Sequence, residues 1–526
     1  MKRARALGAI AALAAVAIVR CSGDDSTQSC GPADATCDDV VPTPLAMSIV
    51  PQEIWIAPGA AQTIAVSLVR GPGGTGDVAV TIESDAGLTL VADPLTIPDG
   101  STTGNLTLHA PVSTPQGTSS LTVDAQTANT LAQAALVVHV RGASGTLDTS
   151  FANAGTADLT PSTGQDLAAA MIVFQNGVVV GGTHVETSDG GSTSTMKVMR
   201  LANGGGLDST FQTTTANALT DLRSLAMLAN EEVYAVGDFV DTKSEFAAVR
   251  VLASGGLDPK YAVVTPISLG DDVAYAGAIE PGGQLVAAGS ANDAGAIAVA
   301  RYTQSSTPLS DASPVTSELD PSFADGGVLS VALAKPIASA SSLLVAPDGS
   351  LYVLGRQSDG TSTDVAFLHV TTAGAVDTTM TVPLTSGQIG AASALLDPDG
   401  TILVASDDGG QALVMRLLAS GALDSTFGAS GRATFGSQAA ARAVARDPSS
   451  GDVLAGGAIG AQCLLARLTP QGALDATFAT SGTLSIAQGD ACAIVAIGVD
   501  DNGLIDVLEN VTNDGASHMS VSRYWP

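Results

Sequence analysis

A heptapeptide built around Leu-Asp and ending in a bulky residue occurs seven times in the C-terminal part of this chain, and only a fold with a matching internal period can accommodate it. The copies are GTLDTSF ending at Phe151, GGLDSTF at Phe211, GGLDPKY at Tyr261, SELDPSF at Phe323, GAVDTTM at Met380, GALDSTF at Phe427 and GALDATF at Phe478. Their aspartates, Asp148, Asp208, Asp258, Asp320, Asp377, Asp424 and Asp475, are separated by 60, 50, 62, 57, 47 and 51 residues. A unit of this size cannot bury its own apolar face, so it must stack on its neighbours.

Each interval divides into four expected strands. A short one follows the heptapeptide, as in GRATFG at 431–436, and a second apolar run ends in a turn such as FQNG, EPGG, APDG, DPDG or DDNG. Asn-Gly, Asp-Gly and Gly-Gly supply the positive φ of tight hairpins. A third strand begins as VVVGG, LYVLG or VLAGG, and a fourth closes the unit as KVMRL, AAVRV, VMRLL or LLARL. Seven units of four antiparallel strands predict an all-β, seven-bladed β-propeller over residues 146–526. Separate sandwiches would need about 90–100 residues each.

Ahead of the array, residues 45–141 alternate apolar and polar positions in seven short segments separated by Gly, Pro and Asp, the pattern of a β-sandwich. The Pro98-Asp99-Gly100 turn followed by NLTLHA resembles the immunoglobulin-like modules of bacterial surface proteins. His109 and His139 alternate with apolar residues and read as strand positions rather than ligands. Residues 1–20 have a basic start and an apolar run too short to span a membrane, which reads as an export signal. Cys21 stands where bacterial lipoproteins carry their acylated cysteine, although Arg20 departs from the small residue expected before it; cleavage after Ala17 is the rival reading. Residues 21–44 form a polar tether, in which Cys30 and Cys37 are placed to pair in an oxidising compartment.

The repeated L-D-x-[ST]-F before a Gly-rich strand, with an arginine strand closing each unit, resembles the delta-60 repeats of bacterial surface and secreted proteins. That family is defined by its repeats, so the resemblance implies a fold and no catalytic residues. Tyr261 and Met380 at the aromatic position, Val376 at the leucine and His369 at the arginine depart from the pattern without removing bulk or polarity.

The repeat residues read first as structural. Each aspartate can fix a turn between blades by accepting bonds from the following amides. Phe151, Phe211, Phe323, Phe427 and Phe478 would fill the space between sheets. Arg200, Arg250, Arg301, Arg416, Arg467 and Arg523, expected on a fourth, outermost strand, would pair with the repeat aspartates; the alternative is a ring of arginines around an anion. Cys463 and Cys492 either form a disulfide near the closure of the ring or stay as buried apolar residues.

No metal-ligand cluster, nucleophile elbow, phosphate loop or dinucleotide fingerprint occurs, so no catalytic residue, metal or cofactor is expected. With 51 acidic against 21 basic residues and a net charge of −30, nucleic acid is an unsuitable partner. What varies between units is the loop joining the third and fourth strands. Its acids, Glu186, Asp189, Asp238, Asp241, Asp359, Asp407, Asp408, Glu509 and Asp514, read either as solvated loop charges or as ligands for calcium or a cationic partner. The expectation is an exported, lipid-anchored, monomeric surface protein whose propeller binds a surface protein or glycan without catalysis. The alternative is a propeller hydrolase or lyase acting on a saccharide or lactone from the variable-loop face.

Overall fold

The period-two alternation before residue 141 produces two sheets around one core. The computed structural model describes residues 45–526 except 72–74, 84–88, 162, 190, 217, 304–314, 317–318, 387–389 and 391. Cys21, Cys30 and Cys37, with the expected leader and tether, lie outside the described residues. One sheet orders Leu45–Val50, Ala61–Arg70, Thr103–His109 and Val91–Ala92; the other orders Glu53–Ile56, Leu131–Val140, Gly117–Gln126, Val78–Glu83 and Leu95–Ile97. Ile54, Val66, Leu106, Val123 and Val138 fill the space between them. Two of the seven expected segments are each split between the sheets, at Pro51 and Pro94. Proline has no N–H to continue a ladder, so the chain changes sheets there.

From residue 156 onward the described chain is a β-propeller. Every element is a strand, and the strands form seven further sheets. In one blade the order from the centre outward is Ala439–Arg446, Val453–Ile459, Gln462–Leu468 and Thr483–Ile486. Seven apolar clusters lie between neighbouring sheets, one of them joining the last sheet to the first through Phe151, Val178, Leu201, Leu508 and Val521. The ring closes on itself. Thr156–Asp158, from before the first blade, pairs antiparallel with Ala516–Tyr524 as the outermost strand of the last sheet.

That closure corrects the expected phase. The short strand after the heptapeptide, which in Leu257–Thr265 and Val376–Pro383 begins within the heptapeptide itself, belongs to the outer edge of the blade already under way, so the arginine strand is third rather than outermost, and the repeat Leu-Asp segment lies within a blade. The period was the same in either phase; only closure decides where a blade starts. The heptapeptide turns and the tight hairpins still share one face. The variable loops share the other with the connections from outer to inner strand. The inserted segment before the fourth heptapeptide lies mostly outside the described residues, but Val315–Thr316 adds a fifth, parallel strand beside Leu257–Thr265.

Strand Leu131–Val140 belongs to the N-terminal pair of sheets and leads directly to the ring. Trp55 stacks on His139 with centroids 4.0 Å apart and meets Trp525 edge-on at 5.8 Å, while the Arg141 guanidinium covers Trp55 and donates to Asn502 O. The Trp525 indole N–H donates to Gln116 Oε1. Asn502 lies in a tight hairpin, so the N-terminal unit docks on the hairpin face of the propeller. Glu53–Ile56 runs parallel to Leu131–Val140 toward that junction, and Leu45 lies at the opposite end.

Candidate functional site: repeat turns, variable loops and central channel

The repeat turn is built from its own side chains. In five copies one oxygen of the aspartate accepts from the amide and hydroxyl two residues on, as Asp424 does from Thr426 at 3.0 and 2.7 Å. The other oxygen takes the arginine Nε in four blades: Arg200 to Asp208 at 2.7 Å, Arg301 to Asp320 at 2.9 Å, Arg416 to Asp424 at 2.7 Å and Arg467 to Asp475 at 2.8 Å. Bonds from the Thr426 hydroxyl and amide, reinforced by Arg416, hold the Asp424 carboxyl below its ordinary range. Arg250 also pairs with Asp258, but no hydroxyl stands two residues beyond that aspartate.

The same arginines connect blades. Each guanidinium lies over the repeat aromatic ring, from 4.3 Å for Arg523 over Phe151 to 5.7 Å for Arg250 over Tyr261. Nη1 of Arg301, Arg416 and Arg523 donates to Thr372 O, Pro470 O and Asn203 O of the following blade at 2.8, 2.8 and 2.6 Å. Two further copies differ. His369 replaces the arginine and bridges Asp377 at 2.7 Å and Ser350 at 3.0 Å. In the same copy Met380, at the aromatic position, is 39% exposed. In the last blade Arg523 bonds both oxygens of fully buried Asp506 at 2.7 and 3.0 Å, while the Asp148 carboxylate stays with Ser150.

The acids of the variable loops do not form one site. Asp238, Asp407 and Glu509 are buried, because the second strand of each blade runs further than its sequence suggests and turns these positions inward. Glu509 is fully buried, accepts from Ser522 Oγ at 3.0 Å, and is pushed by burial up to about 7; its Oε1 has no hydrogen-bond partner. Burial also raises Asp238 to about 6, against Arg223 at 3.6 Å. Asp408 accepts from the amides of Thr385 and Ser386 and pairs with Arg432. Asp359 is consumed by Thr361 and Ser362 of its own turn. Glu186 lies 3.3 Å from His184, whose other ring nitrogen meets buried Asp166 at 2.7 Å. Asp189, Asp241 and Asp514 remain at exposed turn positions. Cys463 and Cys492 form a disulfide.

Sequence reasoning missed the channel on the ring axis. Six innermost strands carry a β-bulge whose extra residue is Ala169, Arg223, Tyr275, Ser341, Arg442 or Val495. These residues, with Ala392 of the remaining blade, line a cavity of about 580 Å³. A bulge bends its strand and re-aims a side chain. It also presses a carbonyl onto the second strand: a Cβ at Gly457 would lie 1.9 Å from Ala440 O. That contact explains the recurring glycine of VVVGG and VLAGG. Ser406 holds the same position in another blade and donates to Gly390 O, and Glu509 holds it in the last. The glycine recurring at this position in the other five units is the signal that would have exposed the bulge positions.

The family model described as "Domain of unknown function (DUF5122) beta-propeller" matches residues 398–427, which contain one complete hairpin-to-heptapeptide stretch. No curated protein matches the chain. Among solved structures, a quinonprotein alcohol dehydrogenase-like protein from Bacteroides thetaiotaomicron is similar at 9% identity, covering 83% of this chain and 94% of its own, with a TM-score of 0.35. The Nup133 β-propeller domain of Vanderwaltozyma polyspora is similar at 8% identity, covering 77% and 91%, with a TM-score of 0.24. Domains 5–6 of the S-layer protein SbsC are similar at 15% identity, covering 42% and 97%, with a TM-score of 0.15.

Proposed function

We propose that this is an exported, lipid-anchored surface protein in which an immunoglobulin-like spacer presents a seven-bladed, delta-60-type propeller as a non-catalytic binding module. The observation that carries the reading is the orientation of the two units. The N-terminal sheets dock on the hairpin face through Trp55, Arg141 and Trp525, and Leu45 emerges at their far end. A tether anchored through Cys21 then holds the spacer nearest the membrane and directs the variable-loop face outward, toward a surface protein or glycan. The loops there differ in length and charge on a scaffold of repeated staples, an arrangement suited to recognition. Glu186, Asp189, Asp241 and Asp514 give that face its available acids, suited to a cationic group or a calcium-bridged ligand.

Fractionation of cells expressing wild type and Cys21→Ser tests the anchor: wild type should remain with membranes and the variant should be released. A wild-type protein that is already soluble and begins at Ile18 would end the lipoprotein reading. For the face, a purified propeller screened against glycans should lose its hit on combined Glu186→Gln and Asp189→Asn, with its melting temperature unchanged.

A further inference from the structure

The central channel differs in charge from the rest of the molecule. The chain carries 51 acids against 21 basic residues, yet among the described residues the channel wall contains two arginines and no carboxylate. Both arginines occupy bulge positions, Arg223 in the second sheet of the ring and Arg442 in the sixth, so they approach the axis from well-separated sides. The rest of the wall mixes hydroxyls and apolar groups: Ser224, Ser341, Ser342 and Ser393 stand among alanines and larger apolar residues such as Leu225 and Val495, beside the ring of Tyr275.

The two guanidiniums are in different states. Arg223 is held from behind by Asp221 at 2.9 Å and Asp238 at 3.6 Å, and it lies over the Tyr275 ring at 5.7 Å. It is therefore oriented and partly neutralised. Arg442 is exposed within the cavity and makes no ion pair or hydrogen bond among the described residues. Every arginine of the repeat turns, by contrast, is spent on an aspartate and an aromatic ring. An exposed guanidinium fork at a re-aimed bulge position, facing hydroxyls in a cavity of ligand size, is a receptor for a planar oxyanion.

We infer that the channel is a binding site for a small hydroxylated carboxylate of sugar-acid size. Arg442 is its principal anion contact, Arg223 supplies charge from the facing side, and the serines and Tyr275 receive the hydroxylated body. The volume of about 580 Å³ lies in the range of small-molecule sites and has room for a sugar acid. Carboxylate is favoured over phosphate because the two forks are well separated and no helix N-terminus stands among the described residues to gather a compact dianion. This site is separate from the variable-loop face, so either assignment can fail alone.

Titration calorimetry on the full chain with glucuronate, neutral glucose and inorganic phosphate tests it. Glucuronate should bind saturably, glucose should bind at least tenfold more weakly, and Arg442→Gln should weaken glucuronate by tenfold or more without moving the melting temperature. Arg442→Lys, which keeps the charge and loses the fork, should fall between the two. Equal binding of glucose, binding of phosphate alone, unchanged glucuronate binding by Arg442→Gln, or no binding of any probe would overturn the assignment.

Discussion

The aspartate of the repeat turn stands before amides it can accept from, and its bonds explain why a carboxylate recurs there. Asp424→Ala leaves the Thr426 amide and the Arg416 Nε without their acceptor, and should lower stability by about 1 to 3 kcal/mol in chemical denaturation. An unchanged midpoint would remove it from the structural set. Glu509 makes the opposite case, a loop acid in the sequence that the fold buries. Its carboxyl is pushed up to about 7, while the unfolded chain titrates near about 4.3. The folded state thus keeps a proton that the unfolded state has released. The contribution is full below about pH 4.3 and is lost as pH rises through about 7. Wild type should lose stability relative to Glu509→Gln across that window; parallel curves for the two proteins would contradict the burial of this carboxyl.

At the scale of strands, the repeat and its four strands per unit were legible because hairpin glycines and the Leu-Asp turn punctuate every interval. The phase was not, since a strand that closes one blade and a strand that opens the next look alike until the ring is closed. Bulges were hidden for a related reason: an extra residue such as Arg442 changes the facing of its neighbours without altering their composition. The trace it leaves is the glycine on the adjoining strand. Gly457→Ala would place a methyl 1.9 Å from Ala440 O, so it should destabilise by about 2 to 4 kcal/mol. Ser406→Gly, which removes a side chain already tolerated at the matching position, should cost less in the same melting experiment. Equal losses would mean that the bulge carbonyl does not impose the glycine.

For the whole molecule, the account depends on closure. Seven interblade clusters and the arginine bonds to following blades form an unbroken circuit only if the strand Thr156–Asp158 reaches across more than 360 positions to Ala516–Tyr524. Removing the last blade should therefore abolish cooperative folding of the ring rather than shorten it, because two sheet faces would lose their neighbours together. The most direct measurement is a crosslink at the seam. Thr156 and Ser522 are paired residues whose hydroxyls lie 3.1 Å apart. In the double variant Thr156→Cys with Ser522→Cys, peptide mapping under non-reducing conditions should recover a disulfide-linked pair of peptides from positions 156 and 522 in the monomer, and oxidation should raise the melting temperature. Free thiols at both positions in the folded, oxidised protein, or a link formed only between separate chains, would contradict a ring closed by this strand.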